Sequence, residues 1–288
     1  MKLLNVGCGG THHPEWTNVD LVAADPAVTE VDIRRGLPFA DASFDAVYHS
    51  HVLEHLPPDA GKRLLADCYR VLKPTGVLRV AVPDLEGIAR AYIATVDDAI
   101  GAPDCDRAKA NHDWMTLELI DQMVRSRSGG AMAPLMRDPN TINLDFIRSR
   151  LGNEVFGNGR SGRKTVFSRL KRFGMRLRKH AASAAVTLID GQLGRRAYLE
   201  GRFRQAGEIH CWMYDRVSLE QTLNSVGFHQ IQVVESDQSR IPEFERYSLD
   251  RLNHRPRKPD SLFMESTKPI QSGAVDQATR EERCNVAA

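Results

Sequence analysis

The apolar run over residues 2–6, stopped at once by Gly7-Cys8-Gly9-Gly10, constrains this chain more than any other stretch. A short apolar segment running straight into glycines has the form of a buried parallel strand entering a tight turn. Two further short strands are predicted over 17–22 (TNVDLV) and 29–33 (TEVDI), and a fourth over 44–49 (FDAVYH). Residues 59–72 then carry Leu64, Leu65, Cys68, Val71 and Leu72 at helical spacing. Pro57-Pro58 opens that helix and Lys73-Pro74-Thr75-Gly76 ends it. A fifth strand, 77–82 (VLRVAV), stops at Pro83-Asp84. Strands alternating with loops and helices require right-handed crossovers, so the chain is expected to be α/β with a parallel sheet.

Past Leu85 the rhythm changes. Residues 86–206 hold helical patches, Gly and Pro breaks and a basic run, but no strand alternation, which predicts a helical insertion placed as a lid over the ends of the strands. Regularity returns with a short helix over 218–226, Gly227, a strand over 231–235 (IQVVE) and a last strand over 261–266 (SLFMES). Those two strands are expected to pair antiparallel at the sheet edge. The predicted organisation is one domain over 1–268, interrupted by 86–206, and a disordered polar tail over 269–288. With 288 residues, 42% of them hydrophobic, the chain can bury such a core.

Charge and cysteines narrow the partners. Net charge is +2, yet 160–180 holds nine of the 39 basic residues and no acid, leaving 30 against 37 acids elsewhere, a net of −7. That balance argues against nucleic acid. Within 165–188, Val166, Leu170, Phe173 and Leu177 step at helical spacing between basic flanks, the pattern of a lid helix. The second reading is a helix lying on an anionic membrane through 160–180. Cys8, Cys68, Cys105, Cys211 and Cys284 are odd in number and form no C-x-x-C pair, which points to a reducing compartment rather than disulfides or a zinc cage. The expected location is the cytoplasm, with a peripheral position at the inner face of the membrane as the second expectation.

Ligands of open α/β sheets bind at the carboxyl ends of the strands. Gly7 and Gly9 lie there, where a missing Cβ lets a ligand approach the backbone. Asp20, thirteen residues beyond Gly7 at the end of the second strand, can accept hydrogen bonds from both hydroxyls of a ribose. A dinucleotide fingerprint would need Gly at position 12, where the chain has His12, and no Gly-Lys-Ser/Thr of a P-loop follows. The ligand indicated is a nucleoside without pyrophosphate. Only about ten residues separate Gly10 from Asp20, too few for a crossover helix, so THHPEWT is expected to be a loop.

LLNVGCGG, NVD, the stretch from VDI through LPFADASFDAVYHSHVLEHL, and RVLKPTGVLRVAVPDLE together resemble the class I S-adenosylmethionine-dependent methyltransferases of the small-molecule type. The resemblance covers about residues 1–86. More weakly, HCWMYDRVSLEQTLNSVGF and KPDSLFMES are similar to the C-terminal part of a bacterial subgroup associated with surface polysaccharide genes. The resemblance implies a Rossmann-like sheet, S-adenosyl-L-methionine as cofactor, and a small-molecule or glycan-like acceptor. It also implies positions: Gly7 and Gly9 against the methionine and ribose, Asp20 on the ribose hydroxyls, Asp32 and Ile33 beside the adenine, and His49 and Ser50 at the methionine end.

Methyl transfer to oxygen or nitrogen requires a proton to leave the acceptor, and histidine is the side chain best matched to that task near neutral pH. His51, in YHSHVLEHL, and His210, in HCWMYD, are the candidate catalytic bases, each also a candidate for plain packing or loop hydrogen bonding. His55 and Tyr214 lie near them in sequence, and Glu54 is expected to hold the loop. No two of these residues show a ligand spacing joined to a third, so no metal site is expected. The competing functional class is a cofactor-binding interaction module without catalysis.

Overall fold

The computed structural model describes residues 1–153, 156 and 166–270, with the side chains of 166–177 and 179 excepted. The tail predicted over 269–288 falls almost wholly outside the described residues, as do the side chains of the apolar stripe Val166, Leu170, Phe173 and Leu177. In chain order the elements are β1 (Leu3–Val6), β2 (Trp16–Asp20), β3 (Val28–Glu30), β4 (Phe44–Ser50), α1 (Pro58–Val71), β5 (Leu72–Pro83), α2 (Leu85–Gly101), α3 (Asp106–Val124), α4 (Met132–Arg137), α5 (Leu144–Leu151), α6 (Val166–Arg204), α7 (Arg216–Val226), β6 (His229–Val234), the two-residue strands β7 (Arg251–Leu252) and β8 (Arg255–Pro256), and β9 (Ser261–Thr267).

Seven strands form one sheet in the order β3-β2-β1-β4-β5-β9-β6. β1 to β5 pair parallel, and β9 is antiparallel to both β5 and β6. The sheet is therefore mostly parallel, with its one reversed strand a single place in from the edge. Three short polar contacts explain where the elements begin and end. β2 stops at Asp20, two residues early, because the Asp20 carboxylate accepts the Val22 amide and turns the chain. β3 stops at Glu30 because Asp32 accepts the Arg34 amide and caps a short 3-10 turn. α7 starts two residues early because Asp215 caps it, exchanging hydrogen bonds with Ser218.

The two faces of the sheet are covered differently. Crossovers are right-handed, so β4-α1-β5 and β1-to-β2, which run in opposite directions across the sheet, fall on opposite faces. On the first face α1 and α7 bury Leu64, Leu65, Cys68, Leu219 and Leu223 against Val6, Val47, Val80 and Phe228. Each fully buried Leu there contributes about 1.5–3 kcal/mol. On the second face the β1-to-β2 connection is the expected loop, held down by buried amides. Asn5 Nδ2 donates to Thr11 O and Asn18 Oδ1 (both 3.1 Å), and Asn18 Nδ2 donates to His13 O (2.9 Å). A loop covers no sheet. The excursion between β6 and β9 covers it instead, laying Ile241, Phe244, Tyr247 and Leu249 over Leu3, Trp16, Ala46 and Tyr48.

Among the described residues, α2 follows directly after β5 and the elements from α2 to α6 are all helical. α2 to α5 bury their own cluster around Trp114, Met115, Ile88 and Ile147, joined to the sheet domain by Met213. α6 is kinked at Asp190 and Gly191, whose dihedrals are not helical. Among the described residues no helix is long and apolar enough to cross a membrane.

Candidate functional site

Three cavities meet at the carboxyl edge of the sheet, and His51 lines all of them. The smallest, about 240 Å³, lies over the glycine turn between Gly7, Gly9, Ser50, Arg257, Lys258 and Ser261. A second, about 1080 Å³, runs from Gly7 past Asp20, Asp32 and Ile33 to α1. The third, about 1070 Å³, opens between the sheet edge and the helical insertion, with Glu54, His55 and His210 among its walls and Arg125, Arg148 and Lys258 supplying positive charge.

The glycine turn fits a ligand brought against backbone. Gly7 (φ +65°) and Gly9 (φ +53°) both adopt the left-handed region that a side chain disfavours. A Cβ on Gly7 would sit 2.4 Å from Val52 Cγ2, whereas one on Gly9 would meet nothing within 4 Å, so Gly9 faces open cavity. Asp20 steadies this turn, accepting the Gly9 amide on Oδ2 (2.8 Å) and the Val22 amide on Oδ1 (3.0 Å). A carboxylate has about four lone-pair positions, so roughly two remain, enough for the two hydroxyls of a ribose. Volume, open glycine backbone and free carboxylate acceptors together fit a nucleoside cofactor such as S-adenosylmethionine.

Asp32 and Ile33 line the same cavity as Asp20, and Ser50 lines the small one. The Asp32 carboxylate is forked onto Arg34, at 2.7 Å to Nε and 2.9 Å to Nη2, and that hydrogen bonding holds it below the usual carboxylate range. His49 is a correction. Its register partners Val6 and Val80 belong to the core under α1, its exposure is 0%, and both ring nitrogens lack a hydrogen-bond partner. A side chain with no exposed atom cannot line the methionine end. Strand alternation is the reason: Ser50 and His49 point to opposite faces.

Burial pushes the His49 imidazole down to about 4, despite the pull of Glu54. The unfolded chain therefore binds a proton at His49 between about pH 6.5 and 4 that the fold does not. Stability rises with pH across that window and is lost as pH falls through it, by up to about 3 kcal/mol. Urea denaturation at pH 7 and pH 4.5 is expected to show a smaller pH difference in His49→Leu than in the wild type. An unchanged difference would place the acid lability elsewhere.

His51 sits where β4 breaks. Its φ is +54°, a conformation that costs a non-glycine residue about 1 kcal/mol or more. Its amide still bonds Ala81 O, after which the chain enters a 3-10 turn, Leu53–His55. That sharp exit gathers His51, Glu54 and His55. The His51 ring is held at both ends: Nε2 lies 2.8 Å from Ser261 Oγ and Nδ1 lies 3.2 Å from Glu54 Oε1. The segment 209–214 crosses this turn, with the Cys211 and Trp212 amides both donating to Glu54 O, and it stacks His210 edge-on against His55 at 5.0 Å. Burial pushes His210 down to about 4. Glu54 is fully buried, which alone would raise it. Its contact with His51 and the nearby imidazoles of His51, His55 and His210 outweigh burial and hold it down at about 2.

Several site residues were beyond the sequence reading. Glu54 was expected to hold its loop, yet its carboxylate faces the histidines. Lys258 and Ser261 arrive from the excursion before β9, and Arg125 and Arg148 from the insertion. Only KPDSLFMES carried any signal of this, through resemblance. The sequence shows no ligand spacing here, yet the fold brings donor atoms of Glu54, His55 and His210 within 4.8 Å of one another. Residues 55 and 210 are too distant in sequence for any spacing rule to connect them.

Comparison with known proteins bears on the first part of the chain. Residues 4–80 match the family model described as a methyltransferase domain. A protein of Mycolicibacterium smegmatis, named as a probable S-adenosylmethionine-dependent methyltransferase, is 45% identical over 58 residues, 19% of this chain and 22% of that protein. An uncharacterized protein of Haemophilus influenzae is 50% identical over 42 residues, 15% of this chain and 17% of that protein. The chain thus spans about a fifth of the length of the curated relatives it matches. A solved S-adenosylmethionine-dependent methyltransferase of Archaeoglobus fulgidus aligns over 93% of this chain and 86% of its own, at 13% identity and a TM-score of 0.37. What these comparisons give is a match of residues 4–80 to the methyltransferase-domain model and a local similarity to a probable S-adenosylmethionine-dependent methyltransferase.

Proposed function

We propose that the chain transfers the methyl group of S-adenosylmethionine to an oxygen or nitrogen of a small polar acceptor, glycan-like in character, held between the sheet edge and the helical insertion. The observation that carries this reading is the position of His51, on the wall of the cavity that Asp20 lines, of the small one over the glycine turn, and of the acceptor-sized one. When bound, the cofactor supplies an already activated methyl group on a sulfonium. The protein's part is then to align the acceptor, exclude water and take up a proton. Gly7 and Gly9 bring backbone to the ligand, Asp20 takes the ribose hydroxyls, and Asp32 with Ile33 flanks the adenine. Arg257 and Lys258, lining the small cavity, are suited to a carboxylate such as that of the methionine portion. His51, oriented by Glu54 and Ser261, is placed to accept the acceptor's proton.

Asp20→Ala is expected to weaken S-adenosylmethionine and S-adenosylhomocysteine alike, by about ten- to a hundred-fold, the equivalent of roughly 1.5–3 kcal/mol for a lost pair of charge-assisted hydrogen bonds. Calorimetry on a variant whose melting temperature has been checked decides it. Unchanged affinity would mean that the ribose is held elsewhere, and no binding of either compound by the wild type would overturn the reading.

A further inference from the structure

At the inner wall of the acceptor-sized cavity, Glu54 and His210 carry buried polar atoms with less pairing than they can accept. Glu54, with 0% exposure, has only the His51 ring beside its Oε1 (3.2 Å), while among the described residues its Oε2 and Nδ1 of His210, a residue with 4% exposure, have no hydrogen-bond partner. A buried carboxylate is costly unless its oxygens are paired or coordinate a metal, and here one oxygen is left over. His55 completes the group. Its Nδ1 lies 3.1 Å from Ile209 O, and because a carbonyl oxygen only accepts, Nδ1 carries a proton, so the neutral ring offers its lone pair on Nε2. That nitrogen faces Glu54 Oε1 at 3.9 Å. A ring nitrogen fixed by a backbone carbonyl, with the other left open toward a carboxylate, is the arrangement by which proteins orient a ligating histidine.

We propose that Glu54, His55 and His210 bind one divalent first-row transition-metal ion, zinc being the probe that tests it. Two imidazole nitrogens and one carboxylate oxygen suit zinc, iron(II) or cobalt(II), whereas calcium and magnesium seek all-oxygen shells. Bonds of about 2.0–2.2 Å set tetrahedral donors roughly 3.3–3.6 Å apart. The 3.9 Å separation of His55 from Glu54 closes to that by about half an ångström, and the widest separation, up to 4.8 Å, closes by side-chain rotation. His51, 3.2 Å from Glu54 Oε1, stays outside the set and steadies the carboxylate. All three ligands line the third cavity, so the remaining coordination positions open toward it. There the ion takes an oxygen of the acceptor and makes its hydroxyl easier to deprotonate. That last role rests on the methyl-transfer reading; the metal site does not.

The test uses tag-free full-length protein, stripped with chelator, in a Cys105→Ser background that removes an exposed thiol. Zinc is titrated by calorimetry and cobalt by its visible absorption. One zinc per chain is expected, with cobalt bands of a four- or five-coordinate nitrogen–oxygen site. His55→Ala and His210→Ala are each expected to weaken binding by more than about 100-fold, beyond the 10–100-fold typical of losing an outer partner. Glu54→Gln keeps the size of the side chain and serves where an alanine variant does not fold. The absence of a one-to-one zinc site in the wild type, or equal affinity in the folded variants, overturns the proposal. S-adenosylhomocysteine is titrated into the same samples. Its failure to bind beside bound zinc counts against methyl transfer and leaves the metal site standing, and its binding where zinc does not bind overturns the metal site alone.

Discussion

Arg79→Met is expected to destabilise the fold by about 3–5 kcal/mol, the cost of stranding buried carboxylates that have lost their cation. Arg79 stands in the middle of β5 with 0% exposure, a position where an arginine is tolerated only if fully partnered. Its partners are at hand: Nε donates to Asp250 (2.6 Å), Nη1 to Glu265 (2.9 Å) and Gln238 O (2.7 Å), and Nη2 to Glu235 O (3.2 Å). Phe244 stacks 4.6 Å from the guanidinium, and Tyr48 donates to Asp250 at 2.5 Å. The cluster ties the excursion between β6 and β9 onto the sheet face that lacks a crossover helix. Burial already pushes Asp250 above the usual carboxylate range, against the pull of Arg79, so without the arginine it would protonate and detach. Denaturant unfolding measures the loss. Adding Glu265→Gln and Asp250→Asn, which remove the stranded charges, is expected to recover much of it. A loss below about 1 kcal/mol for Arg79→Met alone would mean that hydrophobic cover by Ile241, Phe244 and Tyr247 holds the excursion without the ion cluster.

That excursion also marks where the sequence stops being legible. β1 to β5 and α1 could be read because each is short, uniformly patterned and closed by Gly, Pro or Asp within a few residues. The errors there, at the ends of β2 and β3, came from Asp20 and Asp32 turning their own backbone. The excursion over 235–260 has no period to find. Its apolar residues Ile241, Phe244, Tyr247 and Leu249 share one surface because a 3-10 turn and left-handed residues at Glu243 and Ser248 fold them together. The site divides in the same way. Gly7, Gly9, Asp20, Asp32 and Ile33 could be located because a parallel sheet brings its strand ends to one edge. Glu54 facing His210, and Ser261 against His51, could not, since those pairs form only after the insertion and the excursion have docked. His49 misled for the opposite reason: a polar residue at a strand end suggests a site, and alternation turned it into the core.

Under the methyl-transfer reading, His51→Ala is expected to lower the rate by roughly 10²–10⁴ while leaving S-adenosylhomocysteine affinity within a few-fold, the signature of a lost general base rather than a lost binding contact. The ring lines the cavities where they meet, whereas Asp20 and Asp32, proposed to hold the ribose and adenine, line another part of the larger one. Its partners sharpen the test. Glu54 Oε1 at 3.2 Å from Nδ1 stabilises the charge that appears when the ring takes up a proton, and Ser261 Oγ at 2.8 Å from Nε2 occupies the place an acceptor hydroxyl would take. Ser261→Ala should therefore cost far less than His51→Ala, and His51→Gln, similar in reach but unable to accept a proton near neutral pH, should not restore the rate. The measurement is S-adenosylhomocysteine release against a panel of hydroxylated and aminated sugars. His210→Ala separates the two histidines: if His210 holds a metal, its loss and chelation of the protein should lower the rate to the same floor, and neither should deepen the defect of the other. Full turnover in His51→Ala would leave proton removal to a residue of the insertion or to a bound ion, and would reduce His51 to a hinge between the cavities.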